Sequence, residues 1–184
     1  AETVIAHIRD YFLEYNRRVF EAAQRKIDIF MMGDDFGTQN GLMMDVATWR
    51  RYFREGFRAY IDLAHRCGIK VMHHTCGSVE ELIPDFIEFG LDILQSLQPR
   101  AKDMDLATLK REFGRDIAFH GSIDIQQTLP DGSPEKIRDM VKHQVDAGKP
   151  GGGFILSTAH NIPPETPAEN IVALYEAYQE FGGY

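Results

Sequence analysis

Cysteine is scarce in this chain: Cys67 and Cys76 are the only two among 184 residues. Two thiols cannot build the dense disulfide framework of a small secreted domain, so the expected compartment is the reducing cytoplasm. Long apolar runs are missing as well, and neither a membrane span nor a secretion signal is expected. No Lys/Arg cluster longer than Arg50-Arg51 stands out, and acidic residues outnumber basic ones 28 to 20, for a formal charge of −8. Nucleic-acid binding rests on a basic surface that neutralises phosphates, so no nucleic-acid partner is expected. Low-complexity tracts, internal linkers and short repeats are absent too, so residues 1–184 read as a single domain. The chain opens on Ala1 and not on Met, and is expected to be a processed or truncated piece of something longer.

A hydrophobic content of 43%, with 11% aromatic residues, suffices for a core. Short apolar segments bounded by turn residues predict strands over 27–32, 70–74, 93–97, 117–120 and 154–157. Between them the apolar spacing is helical. In 48–66 Trp49, Tyr52, Phe53, Phe57, Tyr60, Ile61 and Ala64 recur at intervals of three and four, with Gly68 as a stop. Helices are likewise predicted over 79–89, 105–113, 134–147 and 166–181, and over the first 26 residues, where Arg25-Lys26 suit a helix C-terminus. Strands alternating with helices imply a parallel sheet.

Each predicted strand ends in polar residues, among them Asp34-Asp35, His74-Thr75-Cys76, Gln95 with Gln98, His120 with Asp124, and Ser157-Thr158 followed by His160. The carboxyl ends of parallel strands are where α/β barrels and open α/β sheets place their sites. His74 and Cys76 are the sharpest pair. Residues i and i+2 of an extended strand point to one face, so imidazole and thiol project together as a two-point metal claw, while His73 faces away. Zinc accepts both donor types, and a catalytic zinc site needs a third protein ligand from elsewhere. Asp34 and Asp35 face opposite ways, so one of them is expected in the site as a fourth ligand, a substrate contact or a proton carrier, unless both serve a turn. Gln95, Gln98, His120 and Asp124 either line a substrate pocket or cap loops. Cys67, on the apolar side of a helix, reads as structural.

Four blocks carry a family resemblance: Gly33-Asp34-Asp35-Phe36-Gly37, the segment Gly68 to Ser78 around His74-Thr75-Cys76, Phe119-His120-Gly121-Ser122-Ile123-Asp124, and His160-Asn161-Ile162-Pro163-Pro164-Glu165-Thr166-Pro167-Ala168-Glu169-Asn170. With these the chain resembles the C-terminal portion of the uroporphyrinogen decarboxylase superfamily, which includes zinc-containing, cobalamin-dependent methyltransferases acting on corrinoid proteins and thiols. The resemblance implies a partial (β/α)8 TIM barrel with about five parallel strands, surrounding helices and the N-terminal strands absent. It also implies a zinc site in which His74 and Cys76 match the His-x-Cys pair of the methyltransferase branch. His160 stands where that branch has a later cysteine and where the decarboxylases have a histidine. The metal set is then His74, Cys76 and His160, with zinc-assisted methyl transfer between a corrinoid carrier and a thiol as the leading function. Asp34, Asp35 and His160 would be catalytic and Gln95, Gln98, His120 and Asp124 substrate-binding. A tetrapyrrole carboxy-lyase of porphyrin biosynthesis, in which His160 binds substrate, is the alternative. A non-catalytic partial barrel that binds a tetrapyrrole or corrinoid is the other. Partners implied are a small-molecule or tetrapyrrole substrate, a corrinoid protein and, because the sheet edge is bare, a second copy of the chain.

Overall fold

The computed structural model describes residues 1–183. It opens on α1 (Glu2–Ala23), which no glycine or proline interrupts and which stops at Gln24, a residue with left-handed φ of 49°. Arg25 is left-handed as well, at φ 64°, so the expected extension through Lys26 fails and both cations lie beyond the last turn.

Strand β1 (Ile29–Gly33) follows, and then a small hairpin of β2 (Gly37–Thr38) and β3 (Gly41–Leu42). The stretch expected as one helix over 48–66 is two, α2 (Val46–Tyr52) and α3 (Arg54–Arg66). Asp45 caps α2, its carboxylate accepting from the Thr48 N–H at 2.8 Å. The junction at Phe53 is a bend and not a gap, because the Phe53 N–H still donates to the Trp49 carbonyl. Trp49, wholly buried, is packed there by Phe36, Phe57 and Phe86. Apolar spacing alone does not reveal a bend whose two sides both stay helical.

After β4 (Lys70–His74) a 3-10 turn at Glu80–Leu82 leads into α4 (Ile83–Glu88), in place of the single helix expected over 79–89. Pro84, in the first turn of α4, has no N–H with which to continue the preceding turn as α-helix. The chain continues through β5 (Ile93–Leu97), α5 (Leu106–Phe113), β6 (Ala118–Ile123), α6 (Thr128–Asp131), α7 (Pro134–Gly148), β7 (Phe154–Thr158) and α8 (Ala168–Phe181). Strand β6 runs three residues past its predicted end at His120. Gly151, Gly152 and Gly153, all at positive φ between 67° and 78°, make the turn into β7 that side-chain-bearing residues resist.

The five main strands form one parallel sheet in chain order, β1-β4-β5-β6-β7. When each strand joins its sequence neighbour by a right-handed crossover, all the connecting helices fall on one face. That face is the core. Val71, Leu94 and Phe119 point into it with at most 1% of their surface exposed, and each such burial contributes about 1.5–3 kcal/mol. A second apolar cluster joins Ile137, Val141 and Val145 of α7 to Leu174 and Ala177 of α8.

Alternate residues occupy the opposite, concave face. The register aligns Gly33, His74, Gln95, His120 and Ile155 in one row across all five strands. Met31 and Ile155 on this face keep 50% and 40% of their surface exposed, which shows that no layer of the described residues covers it. No helix among the described residues is long and apolar enough to cross a membrane.

Candidate metal and substrate site

The carboxyl end of β4 carries the claw. His74 and Cys76 share the concave side, with the Cys76 Sγ 3.4 Å from the His74 Nε2. The loop after β7 brings His160 to the same place, its ring centroid 5.5 Å from that of His74 and the two planes at 68°. One ligand atom from each of His74, Cys76 and His160 lies within 4.8 Å of the others. Two imidazole nitrogens and one sulfur suit a borderline-soft divalent ion such as zinc, and the exposed side of His160 leaves a way in.

The other strand ends complete the surroundings. The His74 Nδ1 is hydrogen-bonded to the Gln95 Oε1 on the neighbouring strand. Asp35 reaches over from the end of β1, its Oδ1 accepting from the Cys76 N–H at 2.8 Å and lying 3.8 Å from the His74 Nε2. Burial, and after it the charge of Asp35, pushes the Cys76 thiol up, so without an ion it holds its proton more firmly than a free cysteine. A cavity of about 410 Å3 opens beside these groups, lined by Met31, His74, Gln95, Ser157, Thr158, His160 and Asn161. Such a volume takes a small organic molecule.

Other residues singled out from the sequence are placed differently. Asp34 turns away from the claw into a larger cleft of about 750 Å3 between α1, β1, α2 and α3, where partial burial and then Asp35 push its carboxyl up. Gln98 is engaged by loops: its Oε1 accepts from the Gly77 N–H and from the Gln39 Nε2, each at 3.1 Å. Asp124 caps its own turn, accepting from the N–H groups of Gln126 (2.9 Å) and Thr128 (3.1 Å). Burial alone would raise the Asp124 carboxyl, but these hydrogen bonds outweigh it and hold it below the usual range. His120 stands in the His74 row, one strand beyond Gln95, with its Nδ1 unpartnered among the described residues and its ring pushed towards neutrality by burial.

His73 lies on the core face, 1% exposed, among Phe36, Phe57 and Phe86. Burial, and next the neighbouring His74, drives its imidazole down to about 3. The Met32 backbone lies near enough to favour the charged ring weakly, yet neither nitrogen makes a hydrogen bond of good geometry among the described residues. Thr75 was not singled out from the sequence. It is fully buried between His74 and Cys76, and its Oγ1 accepts from the Phe36 N–H at 3.1 Å, which ties this segment to the loop after β1. Only its place between His74 and Cys76 marks it in the sequence.

A family model for Uroporphyrinogen decarboxylase (URO-D) matches residues 1–181. Over 131 residues the chain is 25% identical to a methylated-thiol–coenzyme M methyltransferase of Methanosarcina mazei, covering 68% of this chain and 33% of that protein. It is 32% identical over 108 residues to the methylcobamide:CoM methyltransferase MtaA of Methanosarcina barkeri, covering 59% and 30% respectively. To a uroporphyrinogen decarboxylase of Coxiella burnetii it is 32% identical over 77 residues, 42% of this chain and 21% of that protein. The matches span about a third or less of these relatives' length. Among solved structures, a methyltransferase from Methanosarcina mazei superposes with a TM-score of 0.66 at 22% identity, covering 85% of this chain and 43% of that one. That likeness supports the fold, a five-stranded portion of a TIM-barrel-like architecture.

Proposed function

The chain belongs to the uroporphyrinogen decarboxylase family, and we propose that within it this chain forms part of a zinc-assisted methyltransferase that moves a methyl group between a corrinoid carrier and a thiol. The observation that carries the reading is the convergence of His74, Cys76 and His160 ligand atoms within 4.8 Å. Two of the relatives are named as methyltransferases of coenzyme M, one of them with a methylcobamide. Those names supply the reaction class, the thiol and the corrinoid. A corrinoid protein would then be the partner that approaches the carboxyl ends of the strands.

The residues divide the work by position. His74, Cys76 and His160 would hold the ion, and zinc so bound supplies positive charge that favours the deprotonated form of a thiol. Cys76 must give up its proton to serve as a ligand, and Asp35, next to both Cys76 and His74, is the carboxylate placed to receive it. Met31 offers the small cavity an apolar, deformable wall, and Ser157, Thr158 and Asn161 offer polar contacts for a thiol substrate's remaining atoms. His120, farther along the same row, lies where a larger substrate would extend.

The match to a uroporphyrinogen decarboxylase favours a second reading, in which His160 contacts a tetrapyrrole and Cys76 is incidental. Metal content separates the two. Purified protein reconstituted with zinc should carry about one ion per chain, and Cys76→Ser should lose most of it, because a hydroxyl is a far poorer zinc ligand than a thiolate. Atomic emission on the dialysed proteins reads both numbers. Wild-type protein that stays empty after reconstitution sinks the methyltransferase reading.

A further inference from the structure

We infer that Gln95 is a positioning residue that decides which nitrogen of His74 is offered to the metal; the inference rests on the metal reading of the site. In the sheet register His74 and Gln95 sit side by side on neighbouring parallel strands, so their side chains leave the concave face at the same level. The Gln95 Oε1 meets the His74 Nδ1. An amide oxygen can only accept, so this contact requires the proton of the neutral imidazole to be on Nδ1. The lone pair is then left on Nε2. That nitrogen is the one 3.4 Å from the Cys76 Sγ and 3.8 Å from the Asp35 Oδ1.

The opposite amide orientation would undo the site. An NH2 group facing Nδ1 would donate to it, force the imidazole proton onto Nε2 and aim an N–H at the place where the ion belongs. The place of Cys76 agrees with the first arrangement: its Sγ lies 3.4 Å from Nε2, the nitrogen then left with a lone pair, so the two candidate ligand atoms face one point. Ligating histidines commonly donate their second N–H to a carboxylate or a carbonyl, which fixes the tautomer and raises ligand basicity. Here a side-chain amide from the next strand fills that role.

The test has two arms. In the first, long-range 1H–15N correlation spectra of metal-free protein above pH 8 report the tautomer of each imidazole, with His74 assigned by His74→Gln. Wild type should show His74 protonated at Nδ1, and Gln95→Leu should move it towards the Nε2–H form. In the second, zinc affinity is measured by competition with a chromogenic chelator. Gln95→Leu should weaken binding about 10- to 100-fold, the usual cost of losing such an outer partner, while Gln95→Glu, whose carboxylate also accepts from Nδ1, should keep most of it. A wild-type tautomer or a wild-type affinity in Gln95→Leu overturns the inference, as does a Gln95→Glu no better than Gln95→Leu. Should wild type itself take up no zinc, the metal reading falls while the metal-free spectra still decide what Gln95 does to His74.

Discussion

Asp92 sits at the amino end of β5, on the opposite rim of the sheet from the site, and one side chain there closes three elements together. Its carboxylate accepts from the Val71 N–H at 2.9 Å and from the Lys70 Nζ and His65 Nε2, each at 2.7 Å. Burial alone would push this carboxyl up, but the bonds from Lys70, His65 and Val71 outweigh it and hold the group below the usual carboxylate range. A carboxyl whose folded pKa is depressed stabilises the fold fully above its unfolded value, near 4, and loses that contribution as the pH falls through the lower folded value. Asp92→Asn should therefore cost about 1–3 kcal/mol at pH 7. In urea melts, the gap between variant and wild type should narrow as the pH drops below about 4. A gap constant from pH 7 to pH 3 would contradict this account. In the sequence Asp92 looks like an ordinary loop acid, because its partners come from the end of α3 and the start of β4.

The hairpin of β2 and β3 lies directly on the loop that carries Cys76. A Cβ added at Gly37 would stand 2.7 Å from both the Cys76 and Ser78 carbonyl oxygens, too close for either backbone to stay where it is. Gly37→Ala should cost about 1–3 kcal/mol by overpacking, and the forced shift should also weaken zinc binding, since Cys76 is one of the two residues pushed. Chemical denaturation and a zinc titration on the same preparation check both effects, and wild-type values in either would show that the loops yield freely. This layer of contacts was the part hidden from sequence reading. The predicted β4 and β5 spans match the structure to the residue because their apolar runs end abruptly in polar and turn residues, and the i, i+2 rule puts His73 and His74 on the faces they occupy. For Gln98 the sequence leaves a pocket lining and a loop cap both open; its partner Gln39 is 59 positions away, and no local pattern encodes that distance. Gln95 was legible as a residue near the site, whereas its bond to His74 depends on strand register, which is fixed only once the sheet is assembled.

At the scale of the whole molecule, the concave face and the β1 edge pose one problem, because both present surface that the described residues do not cover. Among the described residues strand β1 pairs only with β4, which leaves its other side without a ladder, and Met31 on that strand is half exposed. Helix α1 adds a stripe along one side, with Ile8, Phe12 and Tyr15 exposed by 53%, 46% and 54% where the large cleft opens between the helix and β1. Residues spaced by four and three on a helix share a face, so this stripe is continuous and is matched in character by the Phe30 and Met32 side of the cleft. An uncovered apolar face beside a bare strand edge favours association over solution as a monomer. We predict that the chain self-associates at this length, with the α1 stripe and the β1 edge of one copy meeting those of another in an isologous contact. Sedimentation equilibrium should give a mass above 21.0 kDa. Phe12→Glu should shift the species towards monomer while zinc content stays at the wild-type value, because His74, Cys76 and His160 all come from this one chain, away from the α1 stripe. A wild-type monomer over a wide concentration range would mean that the open sheet suffices by itself. If Phe12→Glu lost zinc and dimer together, the metal site would depend on the second copy, and the three-residue claw could not be the whole of it.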